Sequence, residues 1–160
     1  MMRERRSDIG AERKSPYREE RKFPEPTICP RCGLVYTGGG WQQARGQLPT
    51  GASKELCPAC RRETDRYPGG IVYLSGAYLR AKEGEIMNIV KNQEEQAKAK
   101  RPLQRIMWVE RRDEGIEIAT TNQHLARRIG RAVNSAHAGD LVIKQKAGEN
   151  FVRIYWEREG

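Results

Sequence analysis

The sequence predicts an α+β fold in two parts, a cysteine-clasped ribbon followed by a small ββαββ unit, with a linking helix between them. Three observations carry that prediction. All four cysteines fall in two CxxC pairs, Cys29-Pro30-Arg31-Cys32 and Cys57-Pro58-Ala59-Cys60. The apolar period shifts between 2 and 3.6 residues beyond position 102. An amphipathic segment capped by Thr121 or Asn122 and stopped by Gly139 is bracketed on each side by two strand-like runs. The expected divisions are a disordered tail (1–22), the ribbon (23–70), a strand and linking helix (71–102) and the ββαββ unit (103–160).

The tail mixes charges throughout, as in Arg3-Glu4-Arg5-Arg6 and Glu12-Arg13-Lys14. With Ile9 and Tyr17 as almost its only large apolar groups, it cannot offset the entropy of ordering. It reads equally as an RNA-settling arm and as a solubilising tail. No apolar h-region marks a secretory signal and no run reaches the ~18 apolar residues of a membrane helix, so the expected compartment is the cytoplasm.

Phe23-Pro24-Glu25-Pro26 is a stiff, extended lead-in, because each proline fixes its φ and restricts the residue before it. Two residues between thiols let one turn aim both sulfurs at a single point, and two such knuckles enclose a tetrahedron of the size Zn²⁺ prefers. The 24 residues between the pairs exceed the usual ~15–20, a difference that a looped-out ribbon absorbs. Cys29, Cys32, Cys57 and Cys60 are therefore the expected ligands of one structural Zn²⁺. Two disulfides are disfavoured in a reducing compartment. A thioredoxin-like reading needs a CxxC at the head of a helix, and neither 33–37 nor the charged run 61–67 has that look. Four thiolates also close the coordination sphere that a catalytic zinc leaves open.

Residues 33–37 read as a strand, Gly38-Gly39-Gly40 as a ribbon turn lacking the Lys-Ser or Lys-Thr of a phosphate loop, and 47–53 as a loop. Turn chemistry at Tyr67-Pro68-Gly69-Gly70 leads to the apolar strand 71–74. Residues 77–99 read as a helix with Leu79, Ile86, Val90 and Ala97 on one face, ended by Pro102. Strands follow at 105–110, which looks buried on both sides, and at 116–120, which alternates. Thr121 or Asn122 caps the next helix, whose stripe is Leu125, Ile129, Ala132, Val133 and Ala136, with Gly139 as its stop. The last two strands are 141–146 and 151–157.

The formal net charge of +9, from 30 Lys+Arg against 21 Asp+Glu, favours an anionic partner, although the excess is spread evenly along the chain. His124, Arg127, Arg128 and Arg131 share one helix face, and guanidiniums on a rigid rod suit phosphates; a solvated face is the plain alternative. Arg31, Arg61 and Arg62 flank the knuckles with Trp41 nearby, an arrangement fit for phosphates and unpaired bases, unless Trp41 simply covers the thin ribbon. The two histidines, His124 and His137, lack partners at catalytic spacing, and no hydrolase, zincin or nucleotide-loop motif occurs. Neither an enzyme nor a small-molecule substrate is expected.

The run 26–32, Gly40-Trp41, Cys57 through Arg62, Asp65 and Pro68-Gly69-Gly70 resembles a family of short bacterial zinc-ribbon proteins over about residues 16–157. More distantly, it resembles the zinc-binding N-terminal region of the archaeal and eukaryotic adaptor for nuclear export of the large ribosomal subunit, the nonsense-mediated-decay protein three family. The stretches Gly115-Ile116-Glu117-Ile118 and His124-Leu125-Ala126-Arg127 are similar too. The resemblance implies a zinc-stabilised protein that binds ribosomes or their precursors, without the export role, and only the four cysteines carry over residue by residue. The expected function is thus a non-enzymatic RNA- or ribosome-associated protein, with a protein–protein adaptor as the alternative.

Overall fold

The computed structural model describes residues 17, 21–47 and 50–160. The expected disordered tail lies almost wholly outside them.

A four-stranded sheet forms first, from β1 (Thr27–Ile28), β2 (Val35–Thr37), β3 (Gly40–Gln42) and β4 (Ser53–Lys54), in the order β3-β2-β1-β4. Its strands are too short to hold together alone. Phe23, Tyr36 and Trp41 fill its apolar side, with ring centroids 5.1–5.4 Å apart. Leu34, Cys29, Cys57, Ala59 and Cys60 join that cluster, and so does Leu103 from beyond the ribbon.

Helix α1 (Pro58–Asp65) corrects the expectation for the second knuckle, because this CxxC does head a helix. Proline is pre-set for the first helical position. Cys57 caps it, its sulfur accepting from the Cys60 N–H at 3.4 Å, and Arg66 closes it in left-handed geometry at φ 51°. The helix has only 8 residues and its buried side is Pro58, Ala59 and Cys60, so no apolar period announces it. Among the described residues the rest of the thioredoxin arrangement is missing, since short ribbon strands, not a βαβ unit, precede the helix.

The second sheet runs β6-β7-β5-β9-β8, from β5 (Gly70–Ser75), β6 (Ile106–Arg112), β7 (Gly115–Thr120), β8 (Asp140–Lys144) and β9 (Val152–Glu157). The expected ββαββ order is present, but segment 71–102 does more than link. Its strand β5 is the central one, antiparallel to β7 and parallel to β9. Strand β6, expected to be buried on both sides, is instead an edge strand with Val109 48% exposed. Helices α2 (Ala77–Lys100) and α3 (Gln123–His137) cover one face. Alternation along β5, β7 and β9 sends Val72, Leu74, Ile116, Ile118, Val152, Ile154 and Trp156 into the core beneath them. Helix α2 bends at Lys82, where φ and ψ are −120° and 22°. Asn122 caps α3, accepting from the Leu125 N–H at 3.0 Å. Ala136, expected in the α3 stripe, is exposed.

Gly130 sets how closely α3 approaches the sheet, because a Cβ there would sit 2.5 Å from Ile154 Cγ2 and 3.3 Å from Leu141 Cδ1. Alanine gains about 1 kcal/mol of helix propensity over glycine, while overpacking a tight core costs about 1–3 kcal/mol. Ile154 is fully buried and has little room to yield, so Gly130→Ala is expected to lower thermal stability by a few degrees in a calorimetric melt.

Candidate metal centre and basic surfaces

Each knuckle is built by backbone geometry. At the first, the Cys29 N–H donates to the Leu34 carbonyl and the Gly33 N–H donates to the Cys29 carbonyl, both at 2.9 Å. Gly33 takes φ 83°, a conformation that side-chain-bearing residues avoid. The second knuckle is the first turn of α1.

Together they bring the four sulfurs within 4.8 Å of one another, with Cys29, Cys57 and Cys60 buried and Cys32 at the rim. The Cys32 and Cys57 sulfurs are 3.8 Å apart. That is far beyond the ~2.05 Å of a disulfide. It matches the edge, roughly 3.8 Å, of a tetrahedron of thiolates around a metal at about 2.3 Å. The donor set and its spacing therefore fit a bound metal ion. Among the described residues, this is the one group of three or more metal-ligating side chains so placed.

Sequence reasoning missed the residue that completes the centre. Arg105, ahead of β6, aims its guanidinium at the cluster: Nη2 donates to Cys32 at 3.1 Å and to Cys57 at 3.3 Å, and Nη1 to Cys60 at 3.4 Å. Its Nε donates to the Pro102 carbonyl at 3.1 Å, and Glu63 Oε2 lies 3.9 Å from Nη1. Thr121 holds the backbone there, accepting from the Arg105 N–H at 3.0 Å and donating to the Leu103 carbonyl at 2.6 Å. The side chain is 12% exposed, so its charge is felt through little water.

The thiols share protons unequally. The hydrogen bond with Cys57, helped by Arg105, lowers the Cys32 pKa to about 4. The same hydrogen bond, together with burial, drives Cys57 upward. Burial raises Cys60 to about 11 against the pull of Arg105. A cation at the centre would relieve this competition, because thiolates are its ligands.

The basic residues fall into two groups. Around the cluster, Arg31 donates to Thr64 Oγ1 at 2.8 Å and sits 3.7 Å from Glu63. Arg62 donates to the Tyr67 carbonyl at 2.9 Å and lies over the Tyr17 ring at 4.6 Å. Arg61 has its Nε buried without a hydrogen-bond partner among the described residues. Trp41, 6% exposed, belongs to the ribbon's core and presents no face to stack on. On α3, His124 and Arg131 are exposed. Arg128 donates to Gln93 and Gln96 of α2 at 2.6 and 2.7 Å, and Arg127 donates to Gln123 and Gln145. His137, expected at the surface or as a cap, is half-buried with Nδ1 2.7 Å from the Tyr78 hydroxyl.

Comparison with protein-family models, curated proteins and solved structures finds no match. The resemblance drawn from the cysteine runs therefore stands on those motifs alone. No helix among the described residues is long and apolar enough to cross a membrane.

Proposed function

We propose that this protein is a non-enzymatic, cytoplasmic RNA-binding protein associated with the ribosome and stabilised by one structural Zn²⁺ held by Cys29, Cys32, Cys57 and Cys60. The four thiolates would close the metal's coordination sphere, leaving it to hold the ribbon and not to act on a substrate. The observation that carries the RNA reading is the charge of α3. Its fifteen residues include Arg127, Arg128 and Arg131 and no Asp or Glu. The hydrogen-bond partners of Arg127 and Arg128 are uncharged glutamine oxygens. Those contacts orient the guanidiniums without neutralising them, which suits bidentate contact with phosphates. Arg31, beside Glu63, is already partly neutralised and is a weaker candidate.

Sedimentation of the full chain with ribosomes at increasing salt tests this. The wild type is expected to sediment at low salt and to be released steeply as salt rises. The variant R127Q/R128Q/R131Q is expected to lose about two units of the log–log salt slope, following the ~0.7 per phosphate contact of single strands. Recovery wholly in the soluble fraction at low salt would overturn the proposal. Association that survives nuclease and high salt would instead favour a protein partner, for which Val109 and Val142, 48% and 46% exposed on the sheet's two edge strands, offer the apolar contacts.

A further inference from the structure

The face of the five-stranded sheet opposite the helices carries an aromatic pair that the core does not use. Tyr73 on β5 and Tyr155 on β9 are directly paired, with ring centroids 4.9 Å apart and planes at 14°. Two coplanar rings side by side cannot approach that closely, so the rings stand on the sheet and overlap face to face. Each is then left with one outer face. That of Tyr155 looks toward β8, where its paired residue is Val142, 46% exposed and too small to cover a ring. Tyr155 itself is 36% exposed.

The charge beside this pair is positive and rests on aromatic rings, not on carboxylates. Lys144 and Arg153 are paired across β8 and β9, one row from Tyr155 on the same face. The Lys144 ammonium lies over the outer face of the Tyr155 ring, 5.5 Å from its centroid, and the Arg153 guanidinium lies over Phe151 at 4.7 Å. Neither has a carboxylate partner among the described residues. Of the acids on this face, Asp140 and Glu157 lie in the row on the other side of Tyr155, while Glu117, paired with Tyr73, accepts from Trp108 and Arg112. A ring face capped only by an exposed lysine, with cations on one side and acids on the other, has the polarity of a nucleotide: a base on the ring, its phosphates toward Lys144 and Arg153.

We propose that this sheet face is a binding site for single-stranded RNA, in which a base takes the place of the Lys144 ammonium on the outer face of Tyr155, extending the Tyr73–Tyr155 stack, and the adjoining phosphates rest on Lys144 and Arg153. The site rests on the RNA-binding reading above and is distinct from α3, which lies on the other side of the sheet. Duplex RNA keeps its bases stacked internally and is excluded from the ring contact.

The test is fluorescence-anisotropy titration of the full chain with a labelled twelve-nucleotide oligouridine, alongside an RNA duplex of equal length. Y155A is expected to weaken oligouridine binding about tenfold, within the range for loss of one base–aromatic stack, while duplex binding and the salt slope stay unchanged. Y155F keeps the ring and is expected to bind like the wild type. K144Q/R153Q, which leaves the stack intact, is expected to lower the salt slope by about one unit. Wild-type affinity in Y155A, or a Y155F as weak as Y155A, would overturn this inference and leave the α3 reading standing. Failure of the wild-type chain to bind either RNA would overturn both.

Discussion

Replacing Cys57 with serine is expected to abolish metal retention and unfold the ribbon, while the five-stranded sheet stays folded. Serine is as competent as any residue to cap a helix, so the N-cap role of Cys57 on α1 survives the change and the lost metal ligand is isolated. The ribbon's own cluster is small, built on three rings and a few aliphatic groups. Structural zinc contributes on the order of 10–16 kcal/mol to such units, more than that cluster can replace. The sheet has a separate core of fifteen fully or almost fully buried residues that contains no cysteine. Amide spectra should therefore lose dispersion for residues 23–60 and keep it for residues 106–157. A metal-free Cys57→Ser chain with an intact ribbon spectrum would contradict the structural role assigned to the metal.

Arg105→Ala is expected to weaken metal retention by about ten- to a hundredfold, the usual cost of removing a group that holds the ligands of a metal. One guanidinium donates to three of the four sulfurs, offsetting the net negative charge that four thiolates keep around a divalent ion. It also fastens the ribbon to the chain leading into β6, beside Leu103 in the ribbon's cluster. Competition against a chromogenic chelator reads the affinity. Arg105→Lys, which retains the charge but loses the planar fork, should fall between the wild type and Arg105→Ala. Equal affinities in all three would show that the arginine is only a neighbour.

The cysteine clasp was legible because its signal is local: two residues between thiols, twice, in a chain with no other cysteines. Helix α3 was legible for the same reason, since its period and its Asn122 cap lie in a single stretch. What escaped is non-local. Strand β5 reads as a short apolar run, and its central place depends on pairing with β7 and β9, some 45 and 82 residues away. Arg105 is 45 residues past Cys60, and only the docking of Leu103 and Thr121 aims it at the sulfurs. Helix α1 hid behind its charged surface because a proline, an alanine and a cysteine do the work of an apolar stripe. Trp41 left two readings open in the sequence, and burial against Phe23 and Tyr36 decides for the core. Tyr155 had one available signal, since it shares the polar phase of its strand with Arg153 and Glu157, whereas Tyr73 sits in an apolar run beside Ile71. Their adjacency still required the parallel register of β5 and β9.

The central claim is that the four cysteines hold one metal ion that keeps the ribbon folded. Native mass spectrometry of the full chain, purified without added metal and then treated with a strong chelator, tests it most directly. The expected result is a mass increment of one zinc ion per chain, lost on chelation together with the ribbon's amide dispersion. A metal-free chain whose ribbon is fully folded would contradict it.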